Sequence, residues 1–160
     1  EIASCLVGSE MCIRDSDNVK LAKEIDADGV HLGQDDLDIK AAREYLGADK
    51  IIGVSAHNVK EALEAENGGA DYLGSGAAFV TSTKTDAGAI DHKVLSDVAH
   101  SVKIPVVAIG GINKDNISQL EGLGLDGVAV VSAIFAADDI SSAVIDLKAK
   151  AEKAAESSVK

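Results

Sequence analysis

The 160-residue chain has almost no aromatic side chains, with no tryptophan, two tyrosines and two phenylalanines, and it has a single proline. Its core must therefore be built from alanine, valine, isoleucine and leucine. Together with 15 glycines, this composition suits alternating strands and helices better than a β-sandwich. Hydrophobic residues make up 46% and charged residues 26%, which is ordinary for one globular domain.

Basic residues are also scarce, with 15 lysines and arginines against 27 acidic residues and a net charge of −12. Nucleic acids and anionic membranes are therefore disfavoured as partners, because clustered lysine and arginine bind phosphate backbones. No apolar run is long enough to span a membrane, and no secretory segment follows Glu1, so we expect a cytoplasmic enzyme or binding protein. Cys5 and Cys12 are spaced neither as a metal pair nor as a disulfide framework.

The segment Val106–Ile134 contains two short apolar runs that read as parallel strands joined by one helix. Small residues follow both runs, at Gly110-Gly111 and at Ser132-Ala133. Asn113 could cap the joining helix, so main-chain N–H groups would face one space. Two glycines can simply form a strand-to-helix turn, but two neighbouring strand ends of this kind favour a phosphate site, as in many eightfold β/α barrels.

The rest of the chain repeats a β/α pattern, with strands beginning near 29, 51, 72, 106 and 127. The first predicted helix begins after Asp17, which would cap it, and the second covers 39–46 and ends at Gly47. A third begins at a capping box formed by Asn58 and Glu61 and ends at Gly68-Gly69. A fourth is predicted over about 141–155. A polar loop over 80–90 accounts for the longest strand-to-strand step and lies on the face where barrel active sites occur.

Five strands are too few for a closed barrel, which usually needs roughly 200 residues or more, so we expect an N-terminal portion to be missing. An open sheet has an unpaired edge, so we expect the chain either to be poorly soluble or to bind a partner. That partner could be a second copy of the chain in a homo-oligomer. Residues 1–16 show no helical or strand periodicity, and we expect them to be foreign to the rest of the chain; the alternative is an ordinary strand around Ile2 to Val7. The predicted domain covers 17–156, and a tail covers 157–160.

Four ordered motifs resemble the successive signatures of the thiamine-phosphate synthase family. They are Gly29-Val30-His31-Leu32-Gly33-Gln34-Asp35-Asp36, Ile52-Gly53-Val54-Ser55-Ala56-His57, Thr81-Ser82-Thr83-Lys84 and Val107-Ala108-Ile109-Gly110-Gly111-Ile112. The resemblance covers Asp17 to about Lys150 and implies a (β/α)8 TIM barrel, incomplete at its N-terminus. It also implies a transferase that joins an aminopyrimidine methyl diphosphate to a thiazole phosphate or its carboxylated form, giving thiamine phosphate and diphosphate with Mg²⁺.

By the same resemblance, Asp17 and Asp36 would ligate Mg²⁺, for which carboxylate oxygens are suitable ligands. Ser55 would hydrogen-bond the diphosphate, and Lys84 would place positive charge on it as the pyrimidine–diphosphate bond ionises. The remaining substrate contacts would come from Ser16, Thr81, Thr83, Gly111, Val131 and Ser132. Read without the resemblance, these residues could equally be helix caps, turn residues or solvated loop side chains.

Neither histidine of the first two motifs is predicted to be catalytic. His31 lies inside a strand and reads as structural, while His57 is as well explained by a position near a helix start as by general base chemistry.

The sequence departs from the family pattern in three places. Ser16 stands where the family has asparagine, Ala77 and Val80 stand where prolines are usual, and the basic motif Gln-x-Arg-x-Lys does not occur in the printed chain. Two alternatives therefore stay open: a thiazole tautomerase-like relative, and a non-catalytic fragment that binds phosphorylated ligands. The predicted carboxylate pair and Lys84 favour the synthase, because an isomerase has no diphosphate to ionise.

Overall fold

The computed structural model describes residues 18–80 and 89–156. Five strands form one parallel sheet in the order β1-β2-β3-β4-β5, and each strand pairs with the next one along the chain. The strands are β1 (Gly29–Leu32), β2 (Ile51–Ala56), β3 (Tyr72–Gly76), β4 (Val106–Ile109) and β5 (Gly127–Ala129). All five predicted strands are thus confirmed, because buried parallel strands carry the short β-branched runs that mark them in sequence.

Helices connect the strands and cover one face of the sheet. They are α1 (Val19–Glu24), α2 (Ile39–Leu46), α3 (Val59–Gly68), α4 (His92–Ser101), α5 (Ser132–Phe135) and α6 (Ile140–Glu156), with a 3₁₀ helix at Ile117–Leu120. The core between sheet and helices is aliphatic, as the lack of aromatic residues predicts. Its largest fully buried side chains include Leu32, Ile52, Leu73, Leu95 and Ile117.

Local capping signals position several of these helices. Asn58 accepts a hydrogen bond from the N–H of Glu61 at 3.0 Å, as the predicted capping box requires, and α3 ends at the left-handed Gly69. Gly47 terminates α2 at a φ of 96°. The cap of α1 is Asn18 rather than the predicted Asp17: the Asn18 side chain accepts from the N–H of Leu21 at 3.0 Å.

Two connections differ from the sequence prediction. The link between β4 and β5 contains only the 3₁₀ turn at Ile117–Leu120 instead of an α-helix, since Gly122 and Gly124 follow it with φ values of 78° and 80°. Helix α4 was not predicted, although Asp91 caps it by accepting from the N–H of Lys93 at 2.8 Å.

The proposed division at residues 16 and 157 lies outside the described residues, so it stays a prediction. Within the described ranges, β1 and β5 are the two edges of the sheet. Large apolar side chains lie exposed beyond β5, including Phe135 at 73% and Ile145 at 70%. None of the described helices combines the length and the apolar character needed to cross a membrane.

Candidate functional site

A pocket of about 290 Å³ lies at the carboxyl ends of β2 to β5. This position follows from the topology, because parallel strands all end at one edge of the sheet, where barrel ligands bind. Small residues leave the space open, since β2, β3 and β5 end in alanine or glycine and two glycines follow β4. The lining residues are Ser55, His57, Gly74, Gly76, Ala77, Ile109, Gly110, Gly111, Ile112, Ala129, Val130, Val131 and Ser132.

The loop after β4 forms one wall, and its two glycines are required by its shape. Gly110 and Gly111 have φ values of 98° and 65°. A Cβ on Gly111 would lie 2.7 Å from the carbonyl oxygen of Phe79 and 2.8 Å from that of Val80, so main-chain atoms would have to move. The geometry thus requires glycine at 111 for packing against the chain after β3, and its predicted contact with a ligand stays a prediction.

Two asparagines hold this loop in place. Asn116 Nδ2 donates to the carbonyl of Gly111 at 2.9 Å, and the Asn116 side chain also accepts from the N–H of Asn113 at 2.8 Å. Asn113 Oδ1 accepts from the N–H of Asp115 at 2.9 Å. Asn113 thus stabilises a turn that leads into the 3₁₀ helix, whereas the sequence predicted that it would cap an α-helix.

Ser55, at the end of β2, is held from both its side chain and its main chain. Its Oγ lies 3.0 Å from Nε2 of His31, and its carbonyl accepts a hydrogen bond from the side-chain amide of Gln34. Both partners belong to the first sequence motif, so the structure brings that motif and the serine motif into contact. His31 is only 6% exposed, and its structural role stays a prediction.

His57 also lines the pocket, and its position is set by Glu61. A Glu61 carboxylate oxygen contacts Nδ1 of His57 at 2.9 Å and accepts its main-chain N–H at 2.8 Å. Burial raises the pKa of Glu61, but hydrogen bonds from His57 and Asn58 outweigh that effect and hold the pKa below its ordinary range. Of the described lining residues, His57 is the one titratable side chain, so lysine or arginine charge must come from elsewhere.

Asp36, predicted as a metal ligand, is half-buried and lines a neighbouring groove of about 410 Å³ instead of the pocket beside Ser55. Its carboxylate accepts the N–H of Gly33. No group of three or more histidine, cysteine or acidic side chains suited to a metal occurs in the described part of the chain. A single carboxylate still fits Mg²⁺, which keeps several waters and takes substrate phosphate as a ligand.

Of the residues predicted as substrate contacts, the structure brings Ser55, Gly111, Val131 and Ser132 to one pocket, and their roles stay predictions. Five other predicted residues, Ser16, Asp17, Thr81, Thr83 and Lys84, lie outside the described residues. Ile109 and Ala129 also line the pocket and were not predicted as site residues, although Ile109 directly precedes Gly110-Gly111. Their alignment across β4 and β5 was the signal that could have identified them.

Fold and pocket together define a β/α-barrel type of protein whose binding site lies at the carboxyl ends of its strands. A sequence profile of the family described as thiamine monophosphate synthase matches residues 9–134. The chain belongs to this family. The match begins inside the segment that the sequence analysis set apart at 1–16.

Individual relatives agree with this assignment. The chain is 54% identical over 125 residues to thiamine-phosphate synthase of Clostridium acetobutylicum, covering 78% of this chain and 59% of that protein. It is 50% identical over 133 residues to the Clostridium beijerinckii enzyme of the same name, covering 83% and 64%. The chain thus spans about three fifths of the length of these curated relatives.

A solved structure extends the likeness to three dimensions. Thiamine phosphate pyrophosphorylase from Pyrococcus furiosus superposes with a TM-score of 0.79 at 46% sequence identity, covering 88% of this chain and 67% of that one. The predicted fold class, an α/β protein of TIM-barrel type, is thereby confirmed.

Proposed function

We propose that this chain carries the thiazole-phosphate site and part of the diphosphate site of a thiamine-phosphate synthase. The reaction would join a pyrimidine methyl diphosphate to a thiazole phosphate, or its carboxylated form, and release diphosphate. The observation that carries this proposal is the pocket itself, because four residues predicted as substrate contacts reach it from three separate segments. The names of the relatives support the same reaction.

Within the pocket, Ser55 would donate a hydrogen bond to the diphosphate. Gly111 and the Val131-Ser132 turn would surround the thiazole phosphate, with main-chain N–H groups as donors. Thr81, Thr83 and Lys84 follow β3, whose end contributes Gly76 and Ala77 to the pocket. We assign the two threonines to the thiazole phosphate and Lys84 to the diphosphate, where a positive charge stabilises the developing anion.

Mg²⁺ would be held by Asp36 and Asp17, with water and phosphate oxygens completing its coordination. The metal would neutralise charge on the leaving diphosphate. The chain's own task is then to align the two rings and to keep the phosphates fixed, because a pyrimidine cation formed by ionisation needs little activation of the thiazole nitrogen. Such a reaction on small phosphorylated substrates would take place in the cytoplasm, without nucleic acid or membrane as a partner.

Mg²⁺-dependent release of diphosphate from the two substrates tests the proposal. It should be measured on this chain and on a version extended at its N-terminus with the corresponding part of a relative, each with and without Lys84→Ala. We expect the extended protein to turn over and Lys84→Ala to abolish turnover. Lys114→Ala is a matched control, since Lys114 lies in the β4–β5 connection and does not line the pocket.

Other results would overturn the synthase assignment. If the extended protein binds thiazole phosphate but releases no diphosphate, the synthase assignment fails, and a tautomerase-like or purely binding role replaces it. Binding by this chain alone, measured by calorimetry, separates a folded binding fragment from an inert one.

A further inference from the structure

His31 lies in a layer of the sheet that is formed by three residues in register. It pairs with Gly53 of β2, and Gly53 pairs with Tyr72 of β3. Both His31 and Tyr72 are 6% exposed. Their rings fill the space above Gly53, with centroids 5.5 Å apart.

The neighbouring glycines are what allow these two rings to fit. A Cβ on Gly53 would lie 2.2 Å from Cζ of Tyr72 and 2.5 Å from Nδ1 of His31. A Cβ on Gly74 would lie 2.9 Å from Cε1 of His31. The imidazole is therefore confined on both sides, and its orientation is fixed by packing as well as by hydrogen bonds.

Both nitrogens of this imidazole have hydroxyl partners. Nδ1 lies 3.0 Å from the phenol oxygen of Tyr72, and Nε2 lies 3.0 Å from Oγ of Ser55. A neutral imidazole accepts at one nitrogen and donates at the other. The phenol, with an ordinary pKa of about 10, is a far stronger donor than a serine hydroxyl, so Tyr72 takes the accepting nitrogen.

We propose that Tyr72 and His31 act as a relay that turns the Ser55 hydroxyl into a hydrogen-bond donor for an anionic ligand in the pocket. Tyr72 donates to Nδ1, which places the imidazole proton on Nε2, and Nε2 donates to Oγ of Ser55. Since Oγ already accepts a hydrogen bond, the serine proton is directed to another acceptor. Phosphate oxygen is an acceptor only, so it matches this arrangement.

The side-chain amide of Gln34 donates a hydrogen bond to the carbonyl of Ser55 and so helps to fix the orientation of the serine. His31 and Tyr72 are therefore positioning residues that act through Ser55. This inference rests on the proposed function, in which Ser55 contacts the diphosphate, but the tautomer of His31 can be measured without any ligand.

The first test is the tautomer of His31, read from imidazole ¹⁵N chemical shifts of the full chain at about pH 8, where an unperturbed imidazole is neutral. Comparison with His31→Asn assigns its signals among the four histidines. We expect the proton on Nε2. A proton on Nδ1 would overturn the relay, whatever the protein binds.

The second test is a double-mutant cycle between Tyr72 and Ser55, read by calorimetric binding of inorganic diphosphate with Mg²⁺ to the full chain. Tyr72→Phe keeps the ring and should weaken binding several-fold, with a thermal melt confirming the fold. Ser55→Ala should weaken binding as well, and Tyr72→Phe should then add nothing. Equal effects of Tyr72→Phe with and without Ser55 would show a merely structural role and overturn the inference.

The two failures can be told apart. If the unmodified chain and its N-terminally extended version bind no diphosphate, the proposed function fails and the relay loses its ligand. The ¹⁵N result still decides in that case whether the hydrogen-bond arrangement exists.

Discussion

The Asp71 carboxylate accepts a hydrogen bond from the main-chain N–H of Ile52 at 2.7 Å, which joins the residue before β3 to the start of β2. Asp126, directly before β5, makes the same contact two strands further along the chain by accepting the N–H of Val106 at 2.8 Å. Each aspartate thus joins the start of its own strand to the start of the neighbouring parallel strand, at the end of the sheet opposite to the pocket. Ala70-Asp71 and Leu125-Asp126 precede β3 and β5 in the sequence, and both aspartates make this contact.

Removing either carboxylate should destabilise the sheet. We expect Asp126→Ala to lower the free energy of unfolding by about 1–3 kcal/mol, because the N–H of the buried Val106 loses its charged acceptor. Asp71→Ala should cost at least as much, since Asp71 also pairs with Arg43 at 2.6 Å. Urea unfolding measures both. Asp97→Ala, which removes an exposed ion pair with Lys93, should stay within about 0.5 kcal/mol and is the control.

The shape of the loop at Gly111 should control affinity for the thiazole phosphate. Gly111→Ala brings a Cβ against two carbonyl oxygens, so the wall of the pocket must shift. We expect affinity to fall about tenfold or more, which is equivalent to about 1.4 kcal/mol. Calorimetry measures this effect.

Gly122→Ala is a matched control for that substitution. Gly122 also has a positive φ, 78°, but a Cβ there meets nothing within 4 Å and the residue does not line the pocket. Both variants therefore carry backbone strain, and only Gly111→Ala should lose affinity. Equal losses in the two would show that general destabilisation, not the shape of the pocket, is responsible.

The contact between His57 and Glu61 should make stability depend on acid pH. The pKa of Glu61 is lower in the folded chain than in the unfolded one, where it has the ordinary value of a glutamate. Its contribution is therefore fully present above the unfolded pKa and is lost as the pH falls through the folded pKa. Urea midpoints measured from neutral to acid pH should show this loss.

Glu61→Gln should flatten that acid dependence while lowering stability at neutral pH. Glu64 lies on the same helix, and its carboxylate is 3.8 Å from Nζ of Lys60. Glu64→Gln should therefore leave the dependence of stability on pH nearly unchanged. An unaltered slope in Glu61→Gln would contradict the assignment.

The exposed apolar residues beyond β5 predict self-association. Phe135 and Ile145 are 73% and 70% exposed, and exposed apolar side chains promote contact between copies. Replacing both with serine should reduce the apparent mass by light scattering at a fixed concentration. A chain that is monomeric before any substitution would refute the prediction of poor solubility or partnering.

The sequence predicted more of the fold than of the candidate site. The strand starts and the caps at Asn58 and Gly47 were predictable because they depend on residues a few positions apart. The 3₁₀ turn at Ile117–Leu120 was not, since its apolar spacing resembles that of a short helix. Asp36 shows the limit for the site: its motif predicted a metal ligand, but only the packing of α2 and α3 places it in the neighbouring groove.

By itself, the sequence determined the order of β/α units, the aliphatic core and the small residues at the strand ends, because these are properties of local pattern and composition. Only the tertiary structure decided which side chains meet. His31 contacts Ser55 and Tyr72, 24 and 41 residues away, because the parallel register places Tyr72 in its own layer and Ser55 in the next, and Gly53 leaves room for the rings. That register is set by packing between whole elements, and no spacing within one motif encodes it.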